Sequence, residues 1–306
     1  MTASQPRTGA PTTGEDHHAT MPDGRRLGYT ELGDPDGFCV LFFHGTPGSR
    51  RDAALLHEPA LAAGVRLVAV DRPGIGSSDP QPGRSYLDWP ADVAALAGHL
   101  GAREYSLVGF SSGAPYALVC ATDPSPGLHK VAVVSGNSPI DDPDVRRVLP
   151  PDSKVYLFLA EHARWAASAA TLALLGPARF VSQRWPRAGA RFYSWVVSPG
   201  DRRLIRAYSA EYGPETGLAG ITESLRRGTR GVLDDVAIEF GDWGFDIAAA
   251  SVPVEVFHGL EDPLVPLPQA EYVAGVLADA RLHVIEGIGH LVLYERASQI
   301  LESVTS

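Results

Sequence analysis

Cysteine is scarce in this chain: Cys39 and Cys120 are the only two in 306 residues. One falls in an apolar, strand-like run and the other in a helical stretch, so both read as buried thiols and a disulfide framework is excluded. Long hydrophobic runs are missing as well. No stretch approaches the roughly 20 apolar residues of a membrane span, and Met1 to Thr20, rich in Pro, Thr and Gly, has no apolar segment of signal-peptide type. Residues 1–18 are expected to form a flexible tail, and the cytoplasm is the expected compartment. Positive charge is in deficit, with a formal net charge of -10. Such a surface repels nucleic-acid phosphates and anionic membrane, so neither is an expected partner. The histidines lack second ligands at metal spacing, so no metal site is expected.

What is present describes an ordinary globular protein, 44% hydrophobic and 20% charged. The length permits one elaborated domain or two, and pattern has to decide. Basic and acidic residues balance between Asn137 and Ala250, so the acidic excess lies in the flanks. The middle differs in character from the rest.

Pro22-Asp23-Gly24 predicts a hairpin turn between Ala19–Met21 and Arg25–Leu32. Phe38 to His44 is a continuous apolar run of the kind a strand covered on both faces needs. A helix over Arg51 to Ala63 and a buried strand over Val65 to Val70 follow. Asp88 is placed to cap a helix with Pro90 in its first turn and Val93, Leu96, Ala97 and Leu100 on one face. Strands over Tyr105 to Phe110 and Lys130 to Ser135, with a helix between them, complete an alternation that implies a parallel sheet. It breaks at Gly136. From Asn137 to Ala250 helical stretches dominate, among them Val155 to Leu175, Arg202 to Tyr212 and Leu233 to Phe240. Strands over Val252 to His258 and Arg281 to Ile285, and helices near Gln269 to Leu277 and Val292 to Val304, then resume it. The economical division is a core of residues 19–136 and 251–306 with a helical cap, residues 137–250, inserted into it.

Gly109-Phe110-Ser111-Ser112-Gly113 matches G-x-S-x-G between a strand and a helix. In such a turn the serine is forced into a strained backbone position, and flanking glycines leave room for it. Free amides at the start of the helix favour negative charge at the same spot. A serine hydroxyl is a weak nucleophile, so a base must take its proton and a third group must hold that base. Two later strand ends offer them, Gly259-Leu260-Glu261-Asp262-Pro263 and Glu286-Gly287-Ile288-Gly289-His290. Glu261, or Asp141 and Asp142 after the sixth strand, are alternative positions for the acid. His44 and His258 read as braces of their loops. Trp165, Trp185, Trp195 and Trp243 read as packing residues, one of which could touch a substrate.

His44-Gly45-Thr46-Pro47-Gly48, Asp71-Arg72-Pro73-Gly74-Ile75-Gly76-Ser77-Ser78, the serine turn, and the pair Asp262 and Gly289-His290 stand in this order along the chain. In these blocks the sequence resembles the α/β-hydrolase fold family over nearly its whole length from Ala19. The resemblance implies a mostly parallel sheet flanked by helices with an inserted helical cap. It implies Ser111 as nucleophile, His290 as base and acid, Asp262 as orienting carboxylate, and the backbone N–H groups of Thr46 and Ser112 as oxyanion hole. It further implies a small-molecule acyl substrate, hydrolysis of a carboxylic ester, and no cofactor. The same triad serves proline iminopeptidases, carbon–carbon bond hydrolases and acyl-eliminating lyases of the family. Iminopeptidases usually carry glycine where Thr46 stands and tryptophan where Ser112 stands, so both departures point away from them. A ligand receptor without turnover is the reading outside enzyme chemistry.

Overall fold

Eight strands hydrogen-bond into one sheet in a computed structural model that describes residues 14–140, 142–185, 188–189, 197–213 and 216–306. They are β1 (Asp16–Thr20), β2 (Arg26–Gly33), β3 (Phe38–Phe43), β4 (Val65–Val70), β5 (Tyr105–Phe110), β6 (Leu128–Val134), β7 (Val254–Gly259) and β8 (Ala280–Ile285). Their spatial order is β1-β2-β4-β3-β5-β6-β7-β8. β1 and β2 form the expected hairpin, β2 runs antiparallel to β4, and every pairing from β4 to β8 is parallel. The expected tail lies largely outside the described residues, and β1 already begins at Asp16, ahead of the boundary at residue 19.

Side chains alternate across the sheet with the strand period of two. Leu41 and Phe43 of β3 join one apolar layer, with Leu107 of β5 and helices α2 (Trp89–His99) and α3 (Ala114–Thr122). Val40 and Phe42 join the opposite layer, with Val108 and the C-terminal helices. A strand covered on both faces has no polar face, which is why β3 reads as a continuous apolar run. Each of these fully buried side chains contributes about 1.5–3 kcal/mol of transfer free energy.

Local structure departs from the sequence expectations at four helices. The stretch Arg51 to Ala63 is a 3₁₀ segment, Arg50–Leu56, followed by α1 (His57–Ala62). Asp88 precedes α2 but does not cap it; its carboxylate accepts from the N–H of Ser85 at 2.7 Å and from Ser85 Oγ at 3.0 Å, closing the turn before the helix. The stretch Val155 to Leu175 is not one helix. It divides at Ala163 (φ -148°, ψ 62°) into α5 (Pro151–His162) and α6 (Arg164–Arg184), after the short α4 (Pro143–Val148). The break lets Leu157 join Ile140, Val145 and Leu149 while Leu175 joins a separate cluster with Ile75, Leu225 and Val232. Local periodicity cannot announce two destinations. The last helix likewise divides at Arg296.

Between β6 and β7 helices dominate among the described residues, as expected, and include α7 (Pro199–Tyr212), α8 (Ala219–Ser224) and α9 (Arg230–Glu239). Among the described residues no helix is long and apolar enough to cross a membrane.

The turn after β5 fixes the centre of the molecule. Ser111 has φ +52°, a left-handed conformation that costs a non-glycine residue about 1–2 kcal/mol. The flanking glycines are required by space. A Cβ on Gly113 would lie 2.2 Å from the carbonyl oxygen of Phe43, and one on Gly109 would lie 2.6 Å from that of Gly113. Gly113→Ala must therefore displace β3 or the turn, and a loss of roughly 1–3 kcal/mol is expected, together with reduced turnover. Thermal melting of the variant checks this; an unchanged midpoint would mean that the close approach carries no strain.

Candidate active site

Three loops at the carboxyl ends of the parallel strands bring together the residues singled out in the sequence, as the geometry of such sheets dictates. His290 follows β8 and Asp262 follows β7. Both are buried. His290 Nδ1 lies 2.8 Å from Asp262 Oδ2, and His290 Nε2 lies 3.0 Å from Ser111 Oγ. An ionised carboxylate only accepts, so Nδ1 carries the proton and donates to Asp262, leaving Nε2 free to accept from the serine hydroxyl. The other oxygen of Asp262 accepts from the N–H groups of Leu264 and Val265 at 2.9 and 3.0 Å.

Burial opposes charge on both members of the pair, yet their mutual attraction wins. It holds the Asp262 carboxyl below its ordinary range. It also raises the His290 imidazole above the usual histidine value, with further help from the carboxylates of Asp201 and Glu239. The charge-separated form of the pair is thereby favoured, which is what an imidazole needs if it is to hold a proton in transit.

Thr46 and Ser112 both line the cavity above Ser111. Among the described residues, outside the helices and strands, no backbone carbonyl accepts from either N–H. The Thr46 loop is held from behind by Arg72. Its guanidinium donates to the carbonyl of His44, to that of Gly45 at 3.0 Å and to Thr46 Oγ1 at 2.7 Å. Arg72 is in turn paired with Asp235 of α9 at 2.7 Å, and Asp235 also meets Arg84 and the hydroxyl of Tyr116. All four side chains are buried. Burial works against the Asp235 charge, but the two arginines overcome it and hold the carboxyl far below its ordinary range.

The alternative positions for the acid that the structure describes, Glu261 and Asp142, do not meet His290. Glu261 is exposed, Asp142 is spent on the first amides of α4 and on Tyr272, and Asp141 lies outside the described residues. His44 and His258 brace loops as expected. His44 Nδ1 sits 2.8 Å from the Gly45 carbonyl, and His258 Nε2 donates to the Val265 carbonyl at 2.8 Å. Among the described residues no tryptophan lines the cavity: Trp165 and Trp185 are largely exposed, Trp243 packs against Tyr86 and Phe245, and Trp195 lies outside the described residues.

The cavity measures about 630 Å³. Its far wall is apolar and comes from the insertion, through Leu174, Leu204, Ile205, Leu218, Ile221 and Phe240. Three carboxyl side chains, Asp52, Asp152 and Glu239, also line the cavity, and two of them are strongly perturbed. Glu239 accepts from Asn137 Nδ2, and burial pushes its carboxyl up to about 7; Asp52 is pushed to about 7 in the same way. Neither was legible in sequence. Asp52 closes a capping box with Ser49 and Glu239 ends α9, and only the folded chain brings both to the cavity that holds Ser111.

A doubly covered parallel sheet, a strained serine at the end of its central strand, and an aspartate–histidine pair in hydrogen-bond reach define a hydrolase-type architecture. Sequence comparison agrees: the sequence model of the alpha/beta hydrolase family matches residues 40–303, and the chain belongs to that family. It is 29% identical over 284 residues to a non-heme chloroperoxidase of Streptomyces lividans, covering 90% of this chain and 92% of that one. A proline iminopeptidase of Xanthomonas citri is 32% identical over 118 residues, 37% of each chain. The fold is also that of an esterase from Exiguobacterium antarcticum, with a TM-score of 0.66 at 18% identity over 95% of this chain and 100% of the other.

Proposed function

We propose that the protein is a serine hydrolase that cleaves small-molecule carboxylic esters through an acyl-enzyme on Ser111. The observation that carries the proposal is the continuous hydrogen-bonded line from Asp262 through His290 to Ser111 at the floor of a mostly apolar cavity. His290 Nε2 takes the hydroxyl proton as Ser111 Oγ attacks the ester carbonyl carbon. The carbonyl oxygen becomes an oxyanion held by the N–H groups of Thr46 and Ser112. His290 then gives its proton to the departing alcohol, leaving the acyl group on Ser111. Water, deprotonated by the same imidazole, repeats the attack and releases the acid. Each oxyanion donor is worth about 3–4 kcal/mol of the barrier. The insertion acts in this reading as a cap that excludes water and shapes the acyl site.

Labelling with a fluorophosphonate and hydrolysis of p-nitrophenyl esters from acetate to palmitate test the proposal. Wild type should label and turn over, with a chain-length optimum set by the cavity. A folded wild type that neither labels nor hydrolyses any ester would overturn it in favour of ligand binding.

Glu239 and Asp52 favour a second reading, an amide substrate bearing an amine that one of them receives. Comparing p-nitroanilides of amino acids with simple esters separates the two. The pH profile carries a further prediction. The base must be neutral and its midpoint lies above the ordinary histidine value of about 6.5, so kcat/KM should fall as pH drops through that raised midpoint. Glu239→Gln removes one carboxylate that favours the imidazolium, and the acid limb should move to lower pH. A limb that stays in place would show that the two groups do not interact.

A further inference from the structure

We infer that Asp201, a residue of the insertion, is the positioning residue for His290. The inference rests on the reading of His290 as the base. Asp201 stands in the first turn of α7, and its side chain is completely buried. Its carboxylate accepts from three consecutive backbone N–H groups of the histidine loop. Oδ1 receives Gly289 at 3.2 Å and Leu291 at 3.0 Å, and Oδ2 receives His290 at 3.0 Å. Oδ2 also accepts from the N–H of Ser198 at 3.1 Å, while Ser198 Oγ accepts from the N–H of Asp201.

Ser198-Pro199-Gly200-Asp201 is therefore a helix-capping box in which the capping acid does a second task. An ordinary box needs one carboxylate oxygen for one amide. Here both oxygens are filled, and three of the four donors belong to a loop almost ninety residues further along the chain. Charge-assisted bonds of this kind are short and directional, so the loop has little freedom to tilt. The fit is close on every side. A Cβ on Gly289 would lie 2.5 Å from Asp201 Oδ2, and one on Gly200 would lie 2.0 Å from the Gly287 carbonyl oxygen. Arg203 of the same helix donates to that carbonyl at 2.9 Å. The N-terminal turn of α7 thus grips the loop from Gly287 to Leu291, and the imidazole leaves this gripped backbone to meet Ser111 and Asp262.

Asp201 also acts on the imidazole through space. The groups that face His290 are Asp262 on the β7 loop, Glu239 at the end of α9, Asp201 on α7, His258 at the end of β7 and the hydroxyl of Ser111. The three carboxylates favour the imidazolium and His258 opposes it. Removing the Asp201 charge must lower the His290 midpoint; removing only a helix cap must not.

The test compares Asp201→Asn with Ser198→Ala in the full chain. Each breaks the capping box, but only the first removes the charge and puts an NH2 group, which cannot accept, in place of one of the two oxygens that hold residues 289–291. Asp201→Asn should lower kcat for p-nitrophenyl butyrate by roughly 10–100-fold, the scale of a displaced catalytic group, with KM nearly unchanged. NMR titration of the His290 imidazole should give a midpoint below that of wild type. Ser198→Ala should melt earlier yet keep the wild-type kcat and midpoint. Equal kcat and midpoint in Asp201→Asn and wild type, or equal losses in both variants, would overturn the inference. If Asp201→Asn does not fold, amide exchange in wild type decides: slow exchange of Gly289, His290 and Leu291 supports the grip, and rapid exchange overturns it. The titration and exchange need no substrate, so a wild type that hydrolyses no ester would defeat the proposed function and leave this inference to its own readouts.

Discussion

Ser111→Ala is expected to lower ester turnover by about 10⁶-fold, the scale seen when the nucleophile of a coupled triad is removed, and to abolish fluorophosphonate labelling. The loss is this large because His290 and Asp262 have no proton to move once the hydroxyl is gone. The remaining acceleration comes from the oxyanion donors and binding alone. Stability separates chemistry from structure at the same position. Alanine keeps the cost of φ +52°, whereas Ser111→Gly relieves it. The glycine variant should therefore be as inactive as the alanine variant and more stable than wild type by about 1 kcal/mol. Melting curves beside initial rates check both. Turnover surviving in Ser111→Ala would place the nucleophile elsewhere, and a glycine variant that melts earlier would mean that the turn stores no strain.

Asp235→Ala is expected to cost on the order of 3–5 kcal/mol, because it leaves the guanidinium groups of Arg72 and Arg84 buried without a counter-charge. For a chain of this size the melting temperature should drop by roughly 10 °C. Activity should fall further than stability explains. Arg72 is the group that ties the His44 and Gly45 carbonyls and Thr46 Oγ1, so an unanchored Arg72 frees the Thr46 amide to drift. The triple variant Arg72→Met, Arg84→Met, Asp235→Leu removes every buried charge of the network and should recover much of the stability. It should not recover turnover. A triple variant as active as wild type would show that the network only packs; an Asp235→Ala protein with an unchanged melting temperature would show that the ions are solvated.

The segment between β6 and β7 thus does more than line the cavity. Through Asp235 it reaches the loop of Thr46, and through Asp201 the loop of His290. Charge balance between Asn137 and Ala250 gave no hint of this, since a carboxylate used internally and one in water look alike in composition.

Legibility followed the range of the interaction. β4 and β5 ended where their apolar runs end, because burial on both faces leaves a mark on every residue. The serine turn was legible for a similar reason: a Cβ on either flanking glycine would lie 2.2 or 2.6 Å from a backbone oxygen within or beside the turn. The division of Val155 to Leu175 at Ala163 was not, nor was the turning of Asp88 toward Ser85, because in each case two local conformers are close in energy and a distant partner chooses between them.

By itself, the sequence determined the strand and helix alternation, the strained turn at Ser111 and the order of serine, acid and histidine. Hydrophobic period, turn sterics and residue chemistry all act within a few neighbours, and their signatures are local. Only the tertiary structure decided which carboxylates meet. It chose Asp262 over Glu261 and Asp142, brought Glu239 and Asp52 to the cavity wall, and set Asp201 and Asp235 behind the two loops that flank Ser111. Electrostatic and hydrogen-bond energies depend on separations of a few ångströms between groups 28, 89 and 163 residues apart, and such separations exist only once the chain has folded.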